Sequence, residues 1–160
     1  CRVQFAILGD GHLRPQLETQ VQELGIQDMV TFTGFRRDMT TLYAGLDLVA
    51  LTSLNEGTPL TLIEALASGR AVASTEVGGV VDIMGEFREQ RNGFKIWDHG
   101  VTSPSGDAES FAKAVRFLID TPDLRSEMGR RGQRFVQDQY SKDRLVQNIA
   151  HLYRDLIAQT

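Results

Sequence analysis

Apolar residues recur along this chain in two alternating rhythms, and each change of rhythm marks an element boundary. Residues 5–8, Phe-Ala-Ile-Leu, are a short apolar run closed by Gly9-Asp10-Gly11, which predicts a strand and a turn. Leu13, Leu17, Val21 and Leu24 then return every three or four positions, with Pro15 near the start and Gly25 at the end, as in a helix. Residues 29–33 are β-rich and stop at Gly34. Asp38 is placed to cap a short helix whose Met39, Leu42, Tyr43 and Leu46 share a face. Residues 48–52 are apolar almost without break, the habit of a parallel strand buried on both faces. A helix is predicted over 59–68 with Gly69 as its stop, then a fourth strand over 71–75. Gly78-Gly79 breaks the chain before a short helix at 80–84. Residues 86–92 read as a charged, solvated loop and residues 94–97 as a fifth strand.

Beyond Pro104 the rhythm is helical only. Asp107 caps a helix that aligns Phe111, Val115 and Leu118. Pro122 and Asp123 open another, carrying Leu124, Met128 and Phe135. Ser141 caps the last, with Leu145, Ile149, Leu152 and Leu156 on one face. Strand and helix alternate five times, which predicts an α/β fold with a parallel sheet, a single domain over residues 1–160 and a helical C-terminal cover. Ligands of such sheets bind outside the carboxyl ends of the strands. The loops expected there are 9–11, 34–37, 53–58 and 76–79. Each contains glycine, and together they carry Arg36, Arg37, Glu56 and Glu76.

Composition narrows the function classes. A chain of 160 residues, 41% hydrophobic and 24% charged, is long and apolar enough for an ordinary globular core. Its net charge of −4 gives no reason to expect nucleic acid or an anionic membrane as partner. The one cysteine, Cys1, excludes an internal disulfide framework and fits a reducing, cytoplasmic compartment. No apolar run approaches the roughly 18 residues of a membrane span, and nothing resembles a signal peptide. The chain opens on a strand already under way, without an initiator methionine, so a piece of a longer protein is expected.

The stretch Glu56-Gly57-Thr58-Pro59-Leu60-Thr61-Leu62-Ile63-Glu64 concentrates the candidate chemistry. Thr58, Thr61, Glu64 and Ser68 fall on one polar stripe of the predicted helix, leaving Leu62, Ile63, Leu66 and Ala67 to pack on the sheet. The free N–H groups of Leu60 and Thr61 at the helix start suit an anion such as phosphate. Glu64, on the polar stripe, could accept hydrogen bonds from a vicinal diol such as a ribose. A hydrolase pair is excluded by length: eight helical positions span roughly 12 Å, whereas glycosidase carboxyls stand about 5 to 9.5 Å apart. The bland readings are a surface Glu56 that complements the helix dipole and a Glu64 held in a structural ion pair.

The segment S-L-N-E-G-T-P-L-T-L-I-E-A-L-A-S-G-R-A-V-A-S-T-E-V-G-G resembles the core of family 4 retaining glycosyltransferases, also called glycosyl transferases group 1. L-G-D-G with L-R-P-Q-L-E, then F-T-G-F, D-L-V-A-L-T-S and M-G-R-R-G-Q-R-F-V-Q-D-Q-Y-S fall in that family's order, so the resemblance extends over nearly the whole chain. It implies a Rossmann-like domain with helices on both faces, the C-terminal, donor-binding half of a two-domain GT-B architecture. It also implies transfer of a sugar from a nucleoside-diphosphate sugar, a UDP-sugar in the commonest case, to an acceptor hydroxyl with retention, in polysaccharide, lipopolysaccharide or glycolipid synthesis. Glu56 would then lie nearest the chemistry, and the backbone of Gly57 and Thr58 would border the sugar. Leu60 and Thr61 would hold the diphosphate and Glu64 the ribose, while Gly9, Gly11 and Phe35 would line the base pocket. No metal and no cofactor is implied. The acceptor would be bound mainly by the missing N-terminal domain, which would also make any peripheral membrane contact.

The chain departs from the family in three places. The family's Arg and Lys that neutralise the diphosphate fall before the first strand here, with Arg14, Arg36 and Arg37 as the nearby cations. Asp82 stands where many members have Glu, and the loop at 85–93 is long. A dinucleotide oxidoreductase fits worse, because Gly9-x-Gly11-x-x-Arg14 lacks the third glycine and the second strand does not end in an acidic residue. A sugar-nucleotide epimerase and a non-catalytic nucleotide-sugar-binding module remain the alternatives. Trp97, Phe94, Met84 and Met128 read as packing residues, and Arg125, Arg130, Arg131 and Arg134 as a solvated helix face.

Overall fold

The computed structural model describes residues 3–158, so Cys1 lies outside the described residues. The chain divides into two compact units, the first ending at Thr41 and the second beginning at Leu42.

The first unit is a β-α-β turn. β1 (Phe5–Leu8) pairs in parallel with β2 (Val30–Gly34), Phe5 opposite Val30 and Ile7 opposite Phe32. They are joined by α1 (Arg14–Glu23) and a 3-10 turn, Gln27–Met29. Pro15 opens α1 as expected, where its missing N–H costs nothing. Gly9, at φ 102, sends its N–H to the carbonyl of Gly34 at 3.0 Å, closing one end of the unit. The short helix α2 (Met39–Ala44) follows. The Asp38 carboxylate turns to Arg36 Nε at 2.8 Å and not to the helix, and that guanidinium holds its pKa below the ordinary value.

The second unit is built on a five-stranded sheet. β3 (Leu48–Leu51) and β4 (Ala71–Thr75) are the two strands anticipated there. The sequence reading needs two corrections beyond them. Residues expected as a solvated loop form β5 (Phe87–Arg91), which turns at Asn92-Gly93 into β6 (Phe94–Trp97) as an antiparallel hairpin. Every residue of β5 is exposed, so it is an edge strand protected by charge, which reads like a loop in a hydrophobicity pattern. The strand β7 (Gly100–Ser103) was missed altogether. It is wholly buried and lies parallel against β4. The strand order is β3-β4-β7-β6-β5. The sheet is therefore parallel over three strands and antiparallel over the last two.

Helices flank this sheet. α3 (Leu60–Ala67) packs on β3 and β4, and α4 (Ala108–Asp120) on β4, β6 and β7. The face under α4 presents Ala71, Ala73, Phe94, Ile96 and Val101 to Ala114 and Leu118, forming one core with Met128. Asp107 caps α4 as expected, accepting the N–H of Ser110 at 3.0 Å. α5 (Pro122–Gln139) crosses α3 and the start of β4. It comes close because Gly129 and Gly132 present no side chain. A Cβ at Gly129 would overlap the carbonyl of Gly69, and one at Gly132 would overlap Leu66. Of the four arginines expected on a solvated face, Arg130 and Arg134 are exposed, but Arg125 and Arg131 are held by the protein. Arg125 donates to the carbonyl of Leu118 at 2.9 Å at the end of α4, and Arg131 lies 3.8 Å from Asp98.

The last helix, α6 (Lys142–Ala158), has no buried residue. Ser141 caps it by accepting the N–H of Arg144 at 3.3 Å. Its apolar positions nonetheless stay open, Leu145 at 60% exposure, so the helical cover is made by α4 and α5 alone. No helix among the described residues is long and apolar enough to cross a membrane.

Candidate functional site

The loop from Ser53 to Pro59 leaves the carboxyl end of β3, as the sheet topology requires of a ligand-binding loop. Its shape is set by the neighbouring turn after β4. Gly79 donates its N–H to the carbonyl of Glu56 at 3.3 Å, and Thr75 Oγ1 donates to the carbonyl of Ser53 at 2.5 Å. Gly78, at φ 48, and Gly79 lie so close that a Cβ on either would overlap the carbonyl oxygens of Glu56 and Gly57 respectively. The Gly78-Gly79 pair is thus the seat of the Glu56-Gly57 backbone. That is a steric reason for two adjacent glycines that no local pattern discloses.

The Glu56 side chain is half-buried, and its Oε1 accepts the hydroxyl of Ser53 at 2.5 Å. Gly57 and Thr58 are exposed beside it, and Pro59 is buried. Pro59 takes the N-cap position of α3, one place before the first-turn position expected. Its carbonyl accepts the N–H groups of Leu62 at 3.0 Å and Ile63 at 3.2 Å. The N–H groups of Leu60 and Thr61 have no acceptor among the described residues, and the first turn holds neither a side-chain cap nor an acidic residue. A helix end in that state carries the positive end of its dipole and free donors, the arrangement that suits an anion.

Of the expected polar stripe, Thr61 and Glu64 are exposed on α3 and Thr58 is exposed in the loop before it, but Ser68 is the half-buried C-cap; Leu62, Ala65 and Leu66 are buried. Ala65 takes the core place anticipated for Ala67, which is exposed. Glu64 is not in an ion pair among the described residues. Its Oε2 accepts the hydroxyl of Tyr43 at 3.2 Å. Burial and the adjacent Glu64 carboxylate push the Tyr43 phenol up to about 12, so it stays protonated and donates. Neither Ser53 nor Tyr43 was singled out from the sequence. Ser53 stands three residues from Glu56, a spacing that could have been read. From its spacing Tyr43 reads only as a member of a helix face.

Gly9, Gly11 and Phe35 belong to the first unit. Within it, the Gly9 to Gly11 turn meets the end of β2 through the Gly9–Gly34 bond, and the Phe35 ring beyond that end is 76% exposed. Gly11 donates its N–H to Asp10 Oδ1 at 2.8 Å. Arg14 is tied to Glu18 at 2.8 Å and Arg36 to Asp38. Among the described residues, no three His, Cys, Asp or Glu side chains converge as a metal set.

Comparison with known proteins gives the family and the fold. Residues 2–135 match the family described as Glycosyl transferases group 1. The lipopolysaccharide core biosynthesis glycosyltransferase LpsE of Rhizobium meliloti is 29% identical over 144 residues, 90% of this chain and 39% of that relative. Sucrose-phosphate synthase from Thermosynechococcus elongatus superimposes with a TM-score of 0.83 at 25% identity, over 98% of this chain and 39% of its own. Anabaena Alr3699/HepE, solved in complex with UDP, gives 0.81 at 24% identity over 96% and 41%. The chain therefore spans about two-fifths of the length of the relatives it matches. The fold is that of these GT-B structures. The match across residues 2–135, on the fold just described, establishes that this chain belongs to the glycosyl transferases group 1.

Proposed function

We propose that this chain is the donor-binding part of a glycosyltransferase that moves a sugar from a nucleoside-diphosphate sugar, a UDP-sugar first, to an acceptor hydroxyl with retention. The observation that carries this reading is the start of α3: two unclaimed N–H groups between two carboxylates, each oriented by a hydroxyl, Ser53 on Glu56 and Tyr43 on Glu64. The diphosphate takes the N–H groups of Leu60 and Thr61, the ribose hydroxyls donate to Glu64, and the transferred sugar meets Glu56 and the backbone of Gly57 and Thr58. The names of the relatives support it. LpsE is a glycosyltransferase, and HepE was solved with UDP. The roles given to Gly9, Gly11 and Phe35 at the base rest on the order of motifs along the chain.

In the reaction the acceptor oxygen bonds to the anomeric carbon as the bond from that carbon to the phosphate oxygen breaks. The acceptor proton passes to the leaving phosphate on the same face, so no protein nucleophile is assigned. No cofactor is needed, and the acceptor is held mainly by a part of the enzyme beyond this chain. The pathways are those of polysaccharide, lipopolysaccharide or glycolipid synthesis, in the cytoplasm.

The test is a pair of substitutions in the complete enzyme. Glu56→Gln is expected to lower kcat about a hundredfold or more while leaving UDP affinity nearly unchanged. Glu64→Ala should weaken donor binding by about 1.5–3 kcal/mol, the value of a hydrogen bond to a charged group. Equal and mild effects of both would overturn the assignment. Tight UDP binding without turnover on any acceptor would identify a binding module instead.

A further inference from the structure

The β5–β6 hairpin does more than extend the sheet. It walls a cleft of about 310 Å³ in which Glu76, Gln90, Lys95, Thr102 and Ser105 supply the polar side chains, beside Gly93 and Pro104. Gln90 and Lys95 are directly opposed across the hairpin, and Lys95 is opposed to Thr102 across the next pair of strands, so their side chains stand in one row on one face. Glu76, just past the end of β4, closes the row. Its carboxylate accepts Lys95 Nζ at 2.6 Å and Thr102 Oγ1 at 3.0 Å, and Thr102 Oγ1 accepts the indole N–H of Trp97 at 2.8 Å. The ion pair keeps partial exposure, 36% for Lys95 and 26% for Glu76, so both heads can still reach a ligand.

The chemistry of this lining selects a ligand class. One ammonium, one carboxylate, one amide and the exposed Ser105 hydroxyl offer donors and acceptors side by side with no net charge, while the buried Thr102 hydroxyl is taken up by Glu76 and Trp97 and holds Glu76 in place. That suits a run of neutral hydroxyls, each both donor and acceptor, better than a phosphate or a cation. The cleft is separate from the donor site, because no residue from Glu56 to Glu64 lines it. It nevertheless opens at the same edge of the sheet: Glu76 is followed by Val77 and then by Gly78-Gly79, the seat of Glu56. We propose that the cleft formed by Gln90, Lys95, Glu76, Thr102 and Ser105 is a second carbohydrate subsite, which holds a sugar of the acceptor next to the donor site. This rests on the glycosyltransferase reading, since only an enzyme that extends a saccharide needs to hold a second sugar there.

Trp97 is the only tryptophan, and its indole N–H reports on Thr102. The test is two-dimensional NMR of the 160-residue chain titrated separately with methyl hexopyranosides and with UDP. The glycosides should shift the Trp97 indole and the Lys95, Thr102 and Ser105 amides saturably, leaving Leu60 and Thr61 in place. UDP should do the reverse. Lys95→Met and the solvent-exposed Ser105→Ala should each weaken the glycoside response at least about tenfold without changing the UDP response. Ser105→Ala stands as the test if Lys95→Met fails to fold. Glycosides that leave the cleft unmoved, or that act equally on the substituted chains, overturn the subsite. A Leu60 and Thr61 pair that ignores UDP overturns the donor reading instead.

Discussion

β1 and β4 are both short apolar strands in a parallel pairing, yet they end in opposite states. All four residues of β1 are exposed, Phe5 at 45%, whereas all five residues of β4 are buried. Composition does not separate them, since Phe-Ala-Ile-Leu is more apolar than Ala-Val-Ala-Ser-Thr. The number of partners does. β4 has a strand on each side and helices against it, and β1 has β2 as its one neighbouring strand among the described residues. An apolar run predicts that a strand forms. Burial is a property of the layers around it. The same contrast divides the helices: α5 buries Met128, Gly129, Gly132 and Val136, and α6 buries nothing.

The strongest challenge to this contrast is a matched pair of truncations. Leu66 in α3 is 0% exposed, and Leu66→Ala should cost about 2–5 kcal/mol through lost burial and the cavity left behind. Phe5→Ala removes a larger side chain but should cost under about 1 kcal/mol, because half of it already meets solvent. Chemical denaturation of the chain measures both. A Phe5→Ala loss as large as that of Leu66→Ala would mean that the first unit's apolar face is covered in solution.

Next in size is Gly129→Ala. The added methyl meets the backbone of Gly69, which cannot yield as a side chain would, so α5 must lift from α3 at a cost of about 1–3 kcal/mol. Gly11→Ala in the first unit meets nothing within 4 Å, and Gly11 is not at positive φ, so it should be nearly neutral. A comparable fall in melting temperature for both would remove the packing explanation for the M-G-R-R-G motif.

These glycines also show how far the sequence could be read. The order of β1 to β4, the starts of α3, α4 and α5, and the Asp107 and Ser141 caps were legible because each depends on residues close in sequence. β5 was not, since a charged edge strand lacks the alternation that buried faces impose. β7 was hidden because Gly-Val-Thr-Ser is short and becomes a strand only by lying between β4 and β6. At the site, Glu56 and Glu64 were legible from spacing and resemblance. The Tyr43 partner of Glu64 lies 21 residues away, and the Gly78-Gly79 seat is visible only once two loops are brought together.

A titration offers a milder perturbation of the second unit. His99 is 5% exposed and its Nδ1 lies 2.7 Å from the carbonyl of Ile83. Burial dominates and lowers its pKa. The Ile83 carbonyl and Asp98 act in the opposite sense, while Arg131 adds to the lowering. The unfolded chain therefore takes up this proton first as pH falls. The contribution to stability is complete above the ordinary histidine value of about 6.5 and is lost progressively below it. Thermal melts from pH 8 to 5 should show the midpoint falling in the lower half of that range. His99→Asn, which retains a donor near Ile83, should flatten the fall. An unchanged slope would assign the titration elsewhere.

The smallest effects compare two caps of the same kind on helices of opposite burial. Asp107 binds the N–H of Ser110 on α4, which packs into the core, and Ser141 binds the N–H of Arg144 on α6, which does not. Losing either cap frees one N–H group and removes a local reason for the helix to start. On α4 the loss is felt by the whole unit, because Ala114 and Leu118 belong to the common core. Asp107→Ala should therefore lower the global melting midpoint by about 2–4 °C. On α6 the helix can fray while the rest of the unit stays folded. Ser141→Ala should leave the global midpoint unchanged and appear only as faster amide exchange in the first turns after Ser141. A global shift from Ser141→Ala would show that α6 is coupled to the core in solution, and the division between covered and uncovered helices would then have to be redrawn.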